Sequence, residues 1–224
     1  MLKKILLALV VCAVLLCACT TTKSDDGKKE NQKNDVENIS LSNKEDTGVD
    51  VSGIEDPSLK GLLDGSISFI DAETGKEATI FTLPEINDFF QGMMSRYCSV
   101  DLNNDGVLEY MFEDNYSGNT AVLHKEDEIW RAYMMVFRAR LNVKIDGEMS
   151  WSGGASYNGT ARLEFADGAM NQVILLNSDS DKDVHTMLGE EISSEEAMRV
   201  WRKFDKKKNA DWFDIYPAFE IIEY

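Results

Sequence analysis

The sequence predicts an α+β, mainly β domain: an antiparallel meander of hairpins with two or three packed helices. Three observations carry this. From Tyr97 onward, apolar residues recur with a period of two, in runs of strand length. Turn-forming groups separate those runs at short intervals, among them Asp146-Gly147 and Asp167-Gly168. On both flanks the period becomes helical behind a capping-box pattern, Thr82 with Glu85 and Ser193 with Glu196.

Taken in order, residues 58–64 suit a short helix stopped by Gly65, 67–70 a strand, and 71–76 a polar turn containing Gly75. Behind Thr82 and Pro84, the residues Ile86, Phe89, Phe90, Met93 and Met94 fall on one helical face and predict a second helix. Residues 120–125 and 128–137 read as paired strands around a charged turn. The second is apolar on both faces, as a central strand must be. Leu141, Val143 and Ile145 alternate with polar residues and predict a strand. A three-residue loop at Asp146-Gly147 would pair Ile145 with Met149 and Val143 with Trp151, keeping the apolar residues on one face. The glycine-rich stretch 152–159, SGGASYNG, reads as a hairpin end, with a backbone that approaches a ligand as the sharper alternative. Ala161, Leu163 and Phe165 lead through Asp167-Gly168 into another hairpin. A last helix buries Ala197, Met198, Trp201 and Phe204 and places Lys206–208 at its negative end. Phe219, Ile221 and Glu223 predict a closing strand.

The strongest chemical signal is residues 97–112, YCSVDLNNDGVLEYMF. Asp101, Asn103, Asp105 and Glu109 stand at positions 1, 3, 5 and 9 of a loop with Gly106 at position 6, and the Val107 carbonyl is available as a further ligand. Hard cations such as Ca²⁺ take six to eight oxygens, and carboxylates at every second residue of a tight loop turn inward to supply them. An EF-hand needs a bidentate Glu at position 12, where this chain has Phe112. The loop instead resembles the strand-flanked D-x-[DN]-x-D-G-x-x-[DE] loops of FG-GAP repeats in integrin-type propellers. That resemblance covers about a dozen residues and implies Ca²⁺ held in a hairpin. No internal repeat accompanies it, so a many-bladed propeller is excluded. The plain alternative is an Asn/Asp/Gly-rich turn that holds nothing. Residues 178–183, SDSDKD, space three aspartates similarly, but Val184 replaces the glycine and the stretch reads as a solvated loop.

The N-terminus gives an address. Lys3 and Lys4 precede an apolar run from Ile5 to Leu16, the pattern of a secretory signal too short to span a bilayer as a helix. Leu16-Cys17-Ala18-Cys19 resembles a bacterial lipobox, which implies removal of residues 1–18 and lipid on Cys19. Attachment would be stable with more than one acyl chain. Residues 20–57 lack aromatics and are rich in Lys, Asp, Glu, Asn and Ser, so a disordered tether of roughly 35 Å root-mean-square reach is expected. Residues 58–224 then form one domain. Cys12 and Cys17 leave with the signal, Cys19 is lipidated, and Cys98 is left without a partner, as a small buried hydrophobe. The net charge is −17, and two units more negative once Lys3 and Lys4 leave, which makes nucleic acid an unsuitable partner and holds the domain off an anionic membrane surface.

The whole plan resembles uncharacterised lipobox-bearing surface lipoproteins of Gram-positive anaerobes, a resemblance that implies location and architecture but no activity. No G-x-S-x-G elbow or phosphate loop is present. The expectation is a lipid-anchored, outward-facing module with a Ca²⁺-stabilised domain, acting without catalysis in binding an envelope or surface ligand or in envelope structure. The alternative is an envelope hydrolase cleaving glycans with paired carboxylates, for which Glu113, Asp114, Glu164 and Asp167 are candidates. A two-lobed solute receptor would need a larger domain.

Overall fold

A computed structural model of the chain describes residues 49–216. In chain order the elements are α1 (Pro57–Leu63), β1 (Phe69–Asp71), β2 (Glu77–Ala78), α2 (Leu83–Ile86), β3 (Met94–Val100), β4 (Glu109–Asp114), β5 (Thr120–Glu126) and β6 (Ile129–Met135). A 3₁₀ turn at Phe137–Ala139 leads to β7 (Met149–Ser152), β8 (Tyr157–Ala166), β9 (Ala169–Asp179), β10 (Val184–Met187), β11 (Glu190–Ile192), α3 (Ser194–Asp205) and β12 (Phe213–Asp214). The class is α+β, mainly β, as expected. The strands divide between two sheets rather than forming one meander. The first runs β12-β3-β4-β5-β6-β1-β2 and the second β11-β10-β9-β8-β7. The second is antiparallel throughout, whereas the first is mixed, because β1 lies parallel to β6.

Alternation on the central strands creates two cores. Tyr110, Phe112, Ala121, Leu123, Trp130 and Ala132 face a cluster completed by Leu59, Leu62 and Leu63 of α1. Met111, Val122 and Met135 face the opposite way, toward Met149 and Leu163 of the second sheet. The first sheet is therefore buried on both sides, and every residue of β4 is buried. Val49, Val51 and Ile54 pack against the first cluster, so the folded body begins upstream of Pro57, within the stretch expected to be tether. Cys19, the signal and most of the tether lie outside the described residues, as does the strand expected around Phe219, Ile221 and Glu223. Among the described residues no helix is long and apolar enough to cross a membrane.

The hairpins at 120–137 and at Asp167-Gly168 form as expected. Asp127 and Glu128, and Asp167 and Gly168, take the paired left-handed conformations of tight hairpin turns. Three local expectations fail as well. The helix expected from Ile86 to Met94 is only the turn Leu83–Ile86, and Thr82 makes no side-chain cap. Asn87 ends it. Its Oδ1 accepts the Phe89 N–H at 3.0 Å and its Nδ2 donates to Asp71 Oδ2 at 3.0 Å, so a local side-chain bond replaces the next helical one. Met93 is left exposed, and Met94 opens β3.

The strand expected at Leu141, Val143 and Ile145 is replaced by single bridges, Leu141 with Ser150 and Lys144 with Asn209. Asn142 is left-handed there, and the Lys144 ammonium is drawn to Asn209 Oδ1 at 2.7 Å. Met149 and Trp151 pair with Ala161 and Gly159 instead, and Ile145 is exposed. On α3, Ser193 accepts the Glu196 N–H and Ala197 and Phe204 are buried as expected, but Met198 is exposed.

Candidate functional site

The Asp101–Glu109 loop is the connection between β3 and β4, closed by the Val100–Glu109 pair. Asn104 and Gly106 are left-handed, at φ 61° and 88°, which lets the chain reverse within a few residues. Asp101 accepts the Asp105 N–H at 3.1 Å and the Gly106 N–H at 2.9 Å. Asn103 Oδ1 accepts the Asp105 N–H at 3.2 Å, and Asp105 Oδ1 accepts the Val107 N–H at 2.7 Å. The oxygens of Asp101, Asn103 and Asp105 thus all turn in on one short loop, and Val107 is exposed at its rim. Glu109 lies beneath, fully buried: Oε2 accepts the Leu102 N–H at 2.7 Å and Oε1 is 2.9 Å from His124 Nδ1. Burial pushes its carboxyl above the ordinary range, against the pull of those two bonds. The imidazole of His124 stacks on Phe165 of the second sheet at 4.1 Å. As donors, one amide and two carboxylates on the loop suit a hard cation, and Glu109 keeps free lone pairs. Among the described residues no three His, Cys, Asp or Glu side chains converge as a metal cluster.

A second feature lies on the second sheet and takes in the 152–159 stretch, for which the sequence offers ligand approach only as the alternative to a hairpin end. Trp151, Gly159, Asn177 and Thr186 are direct cross-strand neighbours on β7, β8, β9 and β10, and directly opposed residues share a face. Trp151, Asn177 and Thr186 line a groove of about 520 Å³, walled by Tyr157, Gln172 and Arg138. The glycines of the SGGASYNG stretch explain its shape. A Cβ on Gly159 would lie 2.8 Å from Trp151 Nε1 and collide with the Leu176 carbonyl, while one on Gly153 would lie 2.6 Å from the Tyr157 ring. Their absence gives both rings room, and the rings meet edge to face at 5.1 Å. Trp151 Nε1 and Asn177 Oδ1 are buried without a hydrogen-bond partner. Its floor, where Trp151 and Asn177 meet across Gly159, emerges only from strand register.

The carboxylates considered for hydrolysis are engaged separately. Glu113 is buried between Arg96, at 2.5 Å, and Arg140. Asp114 accepts the Tyr116 and Ser117 N–H groups, Glu164 pairs with exposed Arg162, and Asp167 forms the hairpin turn. A different constellation, also missed in the sequence, has the composition of a hydrolase triad. Ser178 Oγ is 2.7 Å from His185 Nδ1, and His185 Nε2 is 3.3 Å from Asp183 Oδ1. Ser178 follows groove-lining Asn177 on the same strand and so faces the other side of the sheet. Asp183 also accepts from Ser194 at the start of α3, so the trio pins that helix to the β9–β10 hairpin. Asp179, in the aspartate-rich turn, pairs with Lys182 at 2.7 Å. Cys98 is buried and unpaired, with its thiol pushed up to about 12 by burial, which keeps it from acting as a nucleophile.

No protein-family model matches this chain, and neither a curated protein nor a solved structure matches it.

Proposed function

We propose that this chain is a lipid-anchored, outward-facing envelope protein whose β-rich domain is stabilised by Ca²⁺ at Asp101, Asn103, Asp105, Val107 and Glu109. It works by binding a ligand rather than by transforming one. The observation that carries the ion is the inward convergence of the Asp101, Asn103 and Asp105 oxygens on a loop joined to the rest of the fold. Asn104 Nδ2 donates to the Asp146 carbonyl at 3.2 Å, and Glu109 reaches the second sheet through His124 and Phe165. Ordering this loop would therefore stiffen the contact between the sheets. The lipobox and the charged stretch behind it support the address. The separate engagement of Glu113, Asp114, Glu164 and Asp167 favours binding over glycan hydrolysis.

An exposed, acidic loop site suggests an affinity on the order of 10⁻⁴–10⁻³ M, as in extracellular modules, with Mg²⁺ competing poorly because it sheds water reluctantly. At ten times Kd, a ligand selective for the native state adds about 1.4 kcal/mol. For a domain of this size that corresponds to roughly 3–6 °C in melting temperature. The test is a melt and a calorimetric titration of the full-length protein in EDTA and in excess Ca²⁺. The increment should vanish in Asp101→Ala and Asp105→Ala and persist in Asp179→Ala. Coincident curves with no heat of binding would overturn the ion reading.

A further inference from the structure

We infer that the groove on the second sheet is a binding site for a short, uncharged oligosaccharide. The inference gives the proposed binding role a ligand class, and it stands independently of the ion loop.

Three properties of the groove select that chemistry. The first is the aromatic corner. Trp151 and Tyr157 meet nearly at right angles, 72° between planes, so they offer two apolar surfaces to one ligand. A pyranose ring has an apolar face of C–H groups that lies against an aromatic ring, while its rim carries hydroxyls. The second is the neutral polar lining. Trp151 and Asn177 flank Gly159 on neighbouring strands, and Thr186, Ser152 and Gln172 complete the lining with hydroxyl and amide groups. A hydroxyl donates and accepts at once, so a polyol suits such a wall. The third is charge. The lining contains no Asp or Glu, so it holds no carboxylate to balance a cation or to drive a cleavage. Arg138, exposed on the rim, makes no ion pair among the described residues, but it is the one cation in the groove lining, and the chain's net charge of −17 repels polyanions.

Size and wall fit a sugar better than a long chain. A groove of about 520 Å³ falls within the range that holds small ligands. Gln172 Nε2 donates to the Ala139 carbonyl at 2.9 Å and fixes the 3₁₀ turn as one wall, so the site is formed before the ligand arrives. Binding would add no catalysis, because the Ser178–His185–Asp183 trio faces away.

The experiment uses the full-length protein in a detergent without a sugar headgroup, with chitotetraose and cellotetraose as neutral probes and polygalacturonate as the anionic control. Saturation-transfer NMR should show contact to ring protons of a neutral probe, in EDTA as in Ca²⁺, so that failure of the ion reading would not mask this one. Tyr157→Ala, an exposed change that spares the core, should weaken affinity about tenfold, the equivalent of one lost ring contact. Trp151→Phe should weaken it by shrinking the aromatic face, Asn177→Ala by removing a polar group of the lining, and Trp201→Ala on α3 should leave it unchanged. No transfer to either neutral probe at millimolar concentration, preference for polygalacturonate, or undiminished binding by Tyr157→Ala would each overturn the inference.

Discussion

Tyr110, on the buried strand β4, donates its phenolic hydrogen to Asp56, the residue that caps helix α1. The other carboxylate oxygen of Asp56 accepts the Ser58 and Leu59 N–H groups at 2.9 and 3.3 Å. One side chain thus satisfies the helix end and fastens it to the sheet. Tyr110→Phe should cost about 1.5–3 kcal/mol, the loss of a hydrogen bond to a charged acceptor. Asp56→Ala should cost more, because the cap goes with the bond, and Asp56→Asn should fall between them. Chemical denaturation of the three variants measures the order. A Tyr110→Phe protein as stable as the parent would show that the bond contributes nothing.

Alkali should unfold the protein through its buried acids. Burial raises Cys98 from an ordinary 9.0 to about 12, and burial with the Asp56 bond raises Tyr110 too. A raised native value means that the native state resists losing the proton. Its contribution is intact below the unfolded value and fades as pH climbs from about 9 toward 12. Cys98→Ala should flatten stability against pH in that window, at some cost in packing. The native thiol should resist iodoacetamide at about pH 8 and react freely in denaturant. Alkylation of the native protein at the unfolded rate would contradict the burial argument.

The address is tested by Cys19→Ala. If lipid on this residue anchors the chain, the variant should appear in the medium or accumulate as an uncut precursor. Unchanged membrane retention, with the mature N-terminus elsewhere, would dismiss the lipobox.

What the sequence revealed and what it hid follow from the range of the interactions. The hairpins β5–β6 and β8–β9 were legible because alternation and turn residues are local, and both patterns agree. The helix expected after Thr82 was not. Ile86, Phe89, Phe90, Met93 and Met94 have helical spacing, yet Asn87 bonds to Asp71, sixteen residues earlier, and turns the chain aside. The parallel pairing of β1 with β6 depends on short strands far apart in sequence, Ile70 with Arg131. The D-x-N-x-D-G loop was readable as a tight turn with inward carboxylates, whereas its link through Glu109 and His124 to Phe165 was not. The groove was hidden for the same reason: Trp151 and Asn177 become neighbours only when register places Gly159 between them.

The hairpin turn at Gly147 gives the sharpest test of how the Asp101–Glu109 loop is supported. Gly147 sits at φ 78°, and a Cβ there would lie 2.5 Å from the Asp101 carbonyl oxygen and 2.7 Å from that of Leu102. Those are backbone atoms of the Asp101–Glu109 loop, so they cannot swing away as a flexible side chain would. Gly106 has a similar dihedral, φ 88°, but open space around its missing Cβ. Gly106→Ala should therefore cost only the left-handed strain, about 1–2 kcal/mol. Gly147→Ala should cost that strain and also push the turn off the loop, breaking the Asn104 bond to the Asp146 carbonyl, for a total of about 3 kcal/mol. On the proposed ion reading, Gly147→Ala should also lose most of the Ca²⁺ increment in melting temperature, although it removes no ligand. Urea midpoints of both variants, with and without Ca²⁺, measure both effects. Equal destabilisation by the two alanines would mean that the Asp146-Gly147 turn does not buttress the loop.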